Sequence, residues 1–419
     1  MKNIVYLIIC PPCWIKTPAL GLEFIKSYLM KRNKNLVVKI LDLNILFYKL
    51  FKVDKKRWLK LDKRWEEELF FIIEKKFPYI LENLLKKIEK AVLVGFSLFR
   101  RNCKFSFQLI SRVKEKYPTK KIAIGGPHVL FMKLHKKNLS REFFWVVGEG
   151  EIALNLILNG ASPRILEYKE IENLDEIPFL EFNDYPVKSF YSVLPLYSSR
   201  GCPYKCLFCT ERLLTRKIRQ HSPLYVVEQI KMLKERYKIS TFSFQDSLIN
   251  INIEWLENFC SLLLKNNLKI KWEAQIRIDN HIDENLAQLI KKAGCFDIFV
   301  GLESACDKIL EKMGKGFCKD EALRFFHTLR KAELHFETSL ILGYPGENEK
   351  DFRETVDFII QNKKIIPKIA QINPYINYFV DPPHVSKIGI ERVHHLVNIL
   401  QKERIPFTKS FINNLFYEN

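Results

Sequence analysis

The feature that most restricts this chain is a run of three cysteines inside eight residues. Tyr197 to Thr210 reads YSSRGCPYKCLFCT, which sets Cys202, Cys206 and Cys209 in C-x3-C-x2-C spacing. Thiolates are soft ligands suited to iron–sulfur clusters. Three of them on one compact loop leave one iron of a four-iron cluster without a protein ligand, and that open position can take a substrate or cosubstrate. Gly201 and Pro203 bracket the first cysteine and suit a tight loop after a strand. A structural zinc site calls for a fourth ligand, usually from a second paired motif. No such pair follows in the sequence.

Around this loop the chain alternates strand and helix patterns. In the first part, buried-strand runs occupy Ile4–Ile9, Val37–Leu43, Val92–Phe96, Lys121–Ile124 and Trp145–Val147, with helical patterns at Leu20 to Met30 and about Phe105 to Tyr117. Polar or glycine stretches close several strands: Asp42-Leu43-Asn44, then Ser97, Gly125-Gly126-Pro127-His128 and Gly148-Glu149-Gly150-Glu151. This argues for a parallel sheet with ligands at the strand C-termini. Residues 46–90 form an aromatic, lysine-rich insertion with helical spacing, read either as a cap over a ligand or as a packed helical layer. From the cysteine loop onward, six strand–helix units follow. Polar landmarks stand at their strand ends: Asp246, Arg277, Glu303 and the Gly343-Tyr344-Pro345-Gly346 turn. The expected domains are 1–158, a linker at 159–190 punctuated by Ile177-Pro178 and Tyr185-Pro186, a cluster domain at 191–376, and a helical tail at 377–419 with an apolar stripe on Gly389 to Gln401.

Bulk composition sets the remaining bounds. A chain of 419 residues exceeds one typical core. The formal charge of +20, from 68 basic and 48 acidic residues, is mostly lysine spread along the chain. Spread lysine is a solvated surface and supports an acidic partner only weakly; nucleic acid is not expected. Ten cysteines without a disulfide-like pattern suit a reducing compartment. The Ile4 to Cys10 run is short and ends in Pro11-Pro12, so a first strand is expected there, not a signal peptide. No apolar run approaches membrane-spanning length. A cytoplasmic protein working at low oxygen is expected. Cys10 and Cys13 form C-P-P-C at the first strand's end, where the prolines shape a turn.

The cysteine motif resembles that of the radical S-adenosylmethionine (SAM) superfamily. The resemblance implies a [4Fe-4S] cluster on Cys202, Cys206 and Cys209 whose open iron chelates SAM and cleaves it to a 5′-deoxyadenosyl radical. It implies an open (β/α)6 partial barrel with Phe208 near the adenine and Asp246 toward the SAM ammonium. Arg277 is expected on the SAM carboxylate, Glu303 on the ribose or ammonium, and the Gly343 turn against the adenine. The first part resembles the Rossmann-like cobalamin-binding domain that precedes many such cores, which places Asn44, Ser97, Gly125 and Gly126 at a cobalamin. One departure stands out. The family's D-x-H-x-x-G is here Asp42-Leu43-Asn44-Ile45-Leu46-Phe47, without the cobalt-ligating histidine. Relatives lacking that histidine include both binders and non-binders of cobalamin.

Three functions follow as alternatives: a cobalamin-dependent methyltransferase acting on an unactivated carbon, a radical SAM cyclase or rearrangement enzyme without functional cobalamin, and a non-enzymatic iron–sulfur or basic nucleic-acid-binding module. The ordered landmarks from Asp246 to Gly343 argue against the third. The resemblance also implies an external electron donor such as a flavodoxin or ferredoxin, and a small-molecule, lipid or peptide substrate.

Overall fold

The computed structural model describes residues 3–51, 58, 63–380 and 382–408, in two compact units. Of the described residues, the first unit holds the chain up to Ser192 together with Leu213–Lys217; the second holds Val193–Arg212 and residues 218–408.

In the first unit, chain order is β1 (Asn3–Ile9), α1 (Leu20–Arg32), β2 (Leu36–Asp42), α2 (Leu43–Phe51), α3 (Lys63–Lys76), α4 (Pro78–Glu89), β3 (Ala91–Ser97), α5 (Cys103–Lys116), β4 (Ile122–Gly125), α6 (Pro127–Leu134), β5 (Phe144–Val147), α7 (Glu151–Leu158) and β6 (Ile165–Glu167). The six strands lie in the order β2-β1-β3-β4-β5-β6, all parallel. Their Val, Ile and Leu runs are buried, as helix-covered parallel strands require. Strand order reverses between β1 and β3. In open α/β sheets, ligands bind outside the strand C-termini at such a switch point. The insertion forms α3 and α4 and packs as a helical layer: Phe47 and Phe70 lie against Phe105 of α5, with ring centroids 6.3 and 5.1 Å apart. Its residues 52–57 and 59–62 lie outside the described residues.

The stretch expected as a linker is not a loose connection. It carries β6 and then buries Ile171, Leu174, Ile177, Leu180, Phe182, Val187 and Tyr191. Polar contacts hold it down within the first unit: Lys26 Nζ meets Asp184 Oδ2 at 2.7 Å, and the Tyr185 hydroxyl donates to the Ala19 carbonyl at 3.1 Å. Irregular spacing of these apolar residues hides the packing from a search for helical or strand periods.

The second unit runs β7 (Leu194–Leu196), β8 (Ser199–Arg200), β9 (Arg219–Gln220), α8 (Pro223–Tyr237), β10 (Thr241–Phe244), α9 (Ile253–Lys265), β11 (Lys271–Ile276), α10 (Glu284–Lys292), β12 (Cys295–Glu303), α11 (Asp307–Met313), α12 (Lys319–Lys331), β13 (Phe336–Leu342), α13 (Glu349–Gln361), β14 (Ile369–Pro374) and α14 (Lys387–Lys402). Helix starts follow from side-chain caps. Ser222, Asn252, Asp283 and Asn348 each accept a first-turn N–H, satisfying donors that the helix leaves open. Six parallel strands stand in sequence order β7-β10-β11-β12-β13-β14, and among the described residues no pairing closes β14 onto β7. This is an open (β/α)6 sheet. α14 buries Val393, Leu396 and Leu400. The tail beyond Thr408 lies outside the described residues. Among the described residues no helix is long and apolar enough to cross a membrane.

Candidate functional site

Every landmark of the second unit falls on the C-terminal edge of its sheet, because each directly ends or follows a strand. The cysteine loop leaves β7 through β8, which pairs antiparallel with β9. Gly201 turns the chain with φ +93°, a value that suits glycine. Within the loop the Cys209 N–H donates to the Cys206 carbonyl at 3.1 Å. Burial raises the Cys202 thiol and pushes Cys209 up to about 11, and nearby thiols add to both. A bound metal reverses this preference, since coordination deprotonates a thiol outright. Among the described residues no three His, Cys, Asp or Glu groups converge as a preformed metal site. The donors nonetheless fit a three-thiolate cluster: three cysteines within electrostatic reach on one loop, with a guanidinium beside one of them.

That guanidinium is Arg277, directly after β11. Its Nη1 lies 3.5 Å from Cys206 Sγ, and its plane sits over the Tyr204 ring at 3.7 Å. The sequence places Arg277 on the SAM carboxylate; in the structure its side chain reaches the Cys206 sulfur. Asp246, after β10, is 1% exposed. Its carboxylate accepts from Ser198 N at 3.0 Å, Ser198 Oγ at 2.6 Å and Ser199 Oγ at 2.7 Å. Burial pushes its carboxyl up to about 6, opposed by those donors. Asp246 therefore positions the start of the cysteine loop.

Glu303 closes β12 in the left-handed region, φ +69°, where the β12–β13 register shifts. Such a conformation in a non-glycine residue costs about 1–3 kcal/mol and concentrates at functional sites. Its carboxylate accepts from Ser339 Oγ at 3.0 Å and faces Lys315 Nζ at 3.6 Å. Lys315 is 4% exposed, donates to the Gly301 carbonyl at 2.8 Å, and stands 5.8 Å from the centre of the Phe208 ring. A Cβ at Gly301 would meet Glu303 Oε1 at 2.6 Å, so glycine there makes room for the pair. Phe208 packs with Ile341 and Tyr375 against buried Cys306, Ile309, Met313 and Tyr344. Glu303, Lys315 and Phe208 thus bring a carboxylate, an ammonium and an aromatic face together.

Sequence reasoning missed Lys315 and α11. The end of α11 docks on the cysteine loop, where Leu207 N–H donates to the Met313 carbonyl at 3.0 Å and the Cys206 thiol to the Gly314 carbonyl at 3.8 Å. The Met313-Gly314-Lys315-Gly316 run, an ammonium between two glycines, was the available signal. Gly343, at φ +72°, serves the protein itself: its N–H donates to Glu347 Oε2 at 2.6 Å, and a Cβ would sit 2.4 Å from Gly389 of α14. The glycine admits the tail helix.

In the first unit, the switch point lies at the ends of β1 and β3. Asn102, fully buried, ties them together. Its Nδ2 donates to the carbonyls of Cys10 at 3.2 Å and Ser97 at 3.1 Å, and its Oδ1 accepts from Phe99 N at 2.8 Å. The sequence reading did not single it out. Asn44 is 2% exposed and fully used. It accepts from Cys13 N at 2.8 Å and Trp58 Nε1 at 3.0 Å, and donates to the carbonyls of Cys13 and Trp14. It shapes the loop after β1 instead of offering a free group. Gly126, φ +96°, admits the Leu98 backbone, whose oxygen would lie 2.6 Å from a Cβ there. The Ser97 hydroxyl has no partner among the described residues, and Gly125 faces Val146 with ordinary spacing. Asp42 caps α2 through Ile45 N at 2.9 Å; burial pushes its carboxyl up to about 6. Burial also pushes the Cys10 thiol up to about 12.

An open six-stranded parallel sheet with a three-cysteine loop on its first strand defines a class of cluster-bearing (β/α)6 domains. Residues 196–359 match the family model of the Radical SAM superfamily. It is similar to an uncharacterized methyltransferase of Pyrococcus horikoshii, 29% identical over 262 residues that make up 57% of each chain. Its fold is similar to the cobalamin-dependent S-adenosylmethionine radical enzyme OxsB, with TM-score 0.66 at 16% identity over 96% of this chain and 56% of that one. It is also similar to the radical S-adenosylmethionine methyltransferase TsrM of Kitasatospora setae, TM-score 0.68 at 16% identity over 89% of this chain and 75% of that one. The chain therefore spans little more than half the length of its methyltransferase relative and of OxsB.

Proposed function

We propose that this chain is a radical SAM enzyme that cleaves SAM reductively at a cluster held by Cys202, Cys206 and Cys209, and that it methylates an unactivated carbon with cobalamin held by the first unit. The observation that carries this reading is the position of the three-cysteine loop. It lies on the C-terminal edge of the (β/α)6 sheet, where α11 docks on it. When bound, the cluster supplies one electron for breaking the sulfonium carbon–sulfur bond, and cobalamin supplies a methyl carrier.

The protein's own groups bind and orient. Lys315 offers its ammonium to the SAM carboxylate, while Glu303 offers an acceptor to the amino group or ribose. Phe208, Ile341 and Tyr375 give the adenine an apolar wall. Asp246 holds the loop start through Ser198 and Ser199. In the first unit Asn102 and Asn44 fix the switch-point loops, leaving the Ser97 hydroxyl and the Gly125 backbone for the cofactor. An external one-electron donor of the flavodoxin or ferredoxin kind and a small-molecule, lipid or peptide substrate complete the reading.

Anaerobic reconstitution with iron, sulfide, cobalamin and SAM tests it. Retained cobalamin together with 5′-deoxyadenosine is the expected result. 5′-Deoxyadenosine without retained cobalamin would move the function to a cyclase or rearrangement enzyme. Absence of both from a cluster-loaded protein would refute the proposal.

A further inference from the structure

A buried arginine without a carboxylate calls for an explanation, because a desolvated charge is stable only when paired. Arg277 is 6% exposed. Among the described residues no Asp or Glu oxygen lies within 4.0 Å of its guanidinium. Its polar side-chain contact is the sulfur of Cys206, 3.5 Å from Nη1. Aromatic rings fix its plane, Tyr204 at 3.7 Å and Phe317 at 5.4 Å. Its backbone is fixed as well: buried Asn250 accepts from Arg277 N at 3.0 Å and donates to its carbonyl at 3.0 Å. A residue clamped at backbone, plane and tip holds its charge at one place, and that place is a cluster ligand.

We propose that Arg277 is a positioning residue that raises the reduction potential of the cluster through its N–H contact with the Cys206 sulfur; this rests on the cluster assignment above. Taking up one electron makes the cluster one charge more negative, with no bond formed or broken in the protein. A guanidinium stays protonated throughout. Positive charge and a hydrogen bond at a ligand sulfur favour the reduced state, and burial strengthens both effects. The role differs from pairing with the SAM carboxylate because it operates before SAM binds.

The experiment is an electron paramagnetic resonance redox titration of the anaerobically reconstituted full chain without SAM. Wild type, Arg277→Lys and Arg277→Gln are compared, with iron content and SAM affinity measured on each. All three are expected to retain iron. Arg277→Gln should hold about tenfold less reduced cluster at a given potential, which is a 59 mV fall for a one-electron couple. Arg277→Lys, which keeps the charge but loses the planar fork, should fall between. SAM affinity should change by less than about threefold, under 1 kcal/mol. Superimposable titrations would overturn the proposal. So would an unchanged midpoint with a large loss of SAM affinity, which would make Arg277 a carboxylate ligand. Loss of iron from both variants would make the contact structural and reject tuning. A wild type that takes up no cluster would instead defeat the functional assignment itself.

Discussion

Replacing Lys315 with methionine removes one half of a buried charge pair and keeps the side chain's apolar bulk. The side chains of Lys315 and Glu303 are 6% and 11% exposed, with N···O 3.6 Å. At an effective dielectric of about 20, the gross attraction at that distance is about 4–5 kcal/mol. Desolvation offsets most of it in the intact pair, so the pair itself adds little. The single variant is different, because it leaves the Glu303 carboxylate buried with Ser339 as its remaining side-chain donor. Breaking such a pair costs about 3–5 kcal/mol. The separation exceeds hydrogen-bond length, so about 3 kcal/mol is expected, or about 6–12 °C in the midpoint of a unit of this size. Glu303→Gln in the Lys315→Met background should recover most of that loss. Thermal unfolding of the two singles and the double, followed by circular dichroism, gives the coupling directly. A Lys315→Met protein as stable as wild type, with no recovery in the double, would refute the pairing. SAM binding in the double should still fall, since both proposed contacts to its amino-acid end are gone.

Further outcomes follow from other contacts. Asn102→Ala leaves the Phe99 N–H and the Cys10 and Ser97 carbonyls without their partner, at about 1–3 kcal/mol per buried group; equilibrium dialysis should show cobalamin retention falling with stability. Asp246, about 6 folded against an ordinary 3.8, favours protonation in the folded state. Its contribution therefore declines as pH rises from about 4 to about 6, by about 3 kcal/mol in all. Asp246→Asn should flatten that part of the stability–pH profile, and an unaltered slope would show that Asp246 does not titrate there. Gly343→Ala forces a Cβ to 2.4 Å from Gly389 at a positive φ, so limited proteolysis should release α14 sooner than in wild type.

Much of this architecture is legible because parallel strands advertise themselves. Val, Ile and Leu runs ending in Asp, Gly or Arg mark both the sheet and the edge on which its chemistry stands, and the cysteine spacing marks the first loop of the second sheet. What stays hidden depends on distant contacts. Lys315 is one of 68 basic residues, and its burial arises from the shifted register at Gly301 and from α11 docking on the cysteine loop. Asn44, Gly126 and Gly343 occupy the expected strand ends, yet their hydrogen bonds or missing side chains serve neighbouring backbone; residue type reveals a demand for room or for an acceptor, but not who uses it. β6 has three residues, Ile165-Leu166-Glu167, too few to establish a period.

The central question is whether the thiols at 202, 206 and 209 carry the catalytic iron. Mössbauer spectroscopy of iron-57-reconstituted wild type and the three single alanine variants, with 5′-deoxyadenosine counted on the same samples, decides it. A four-iron signature and SAM cleavage in wild type, both lost in every variant, is the expected pattern. An unchanged signature with continued cleavage in any one variant would contradict it.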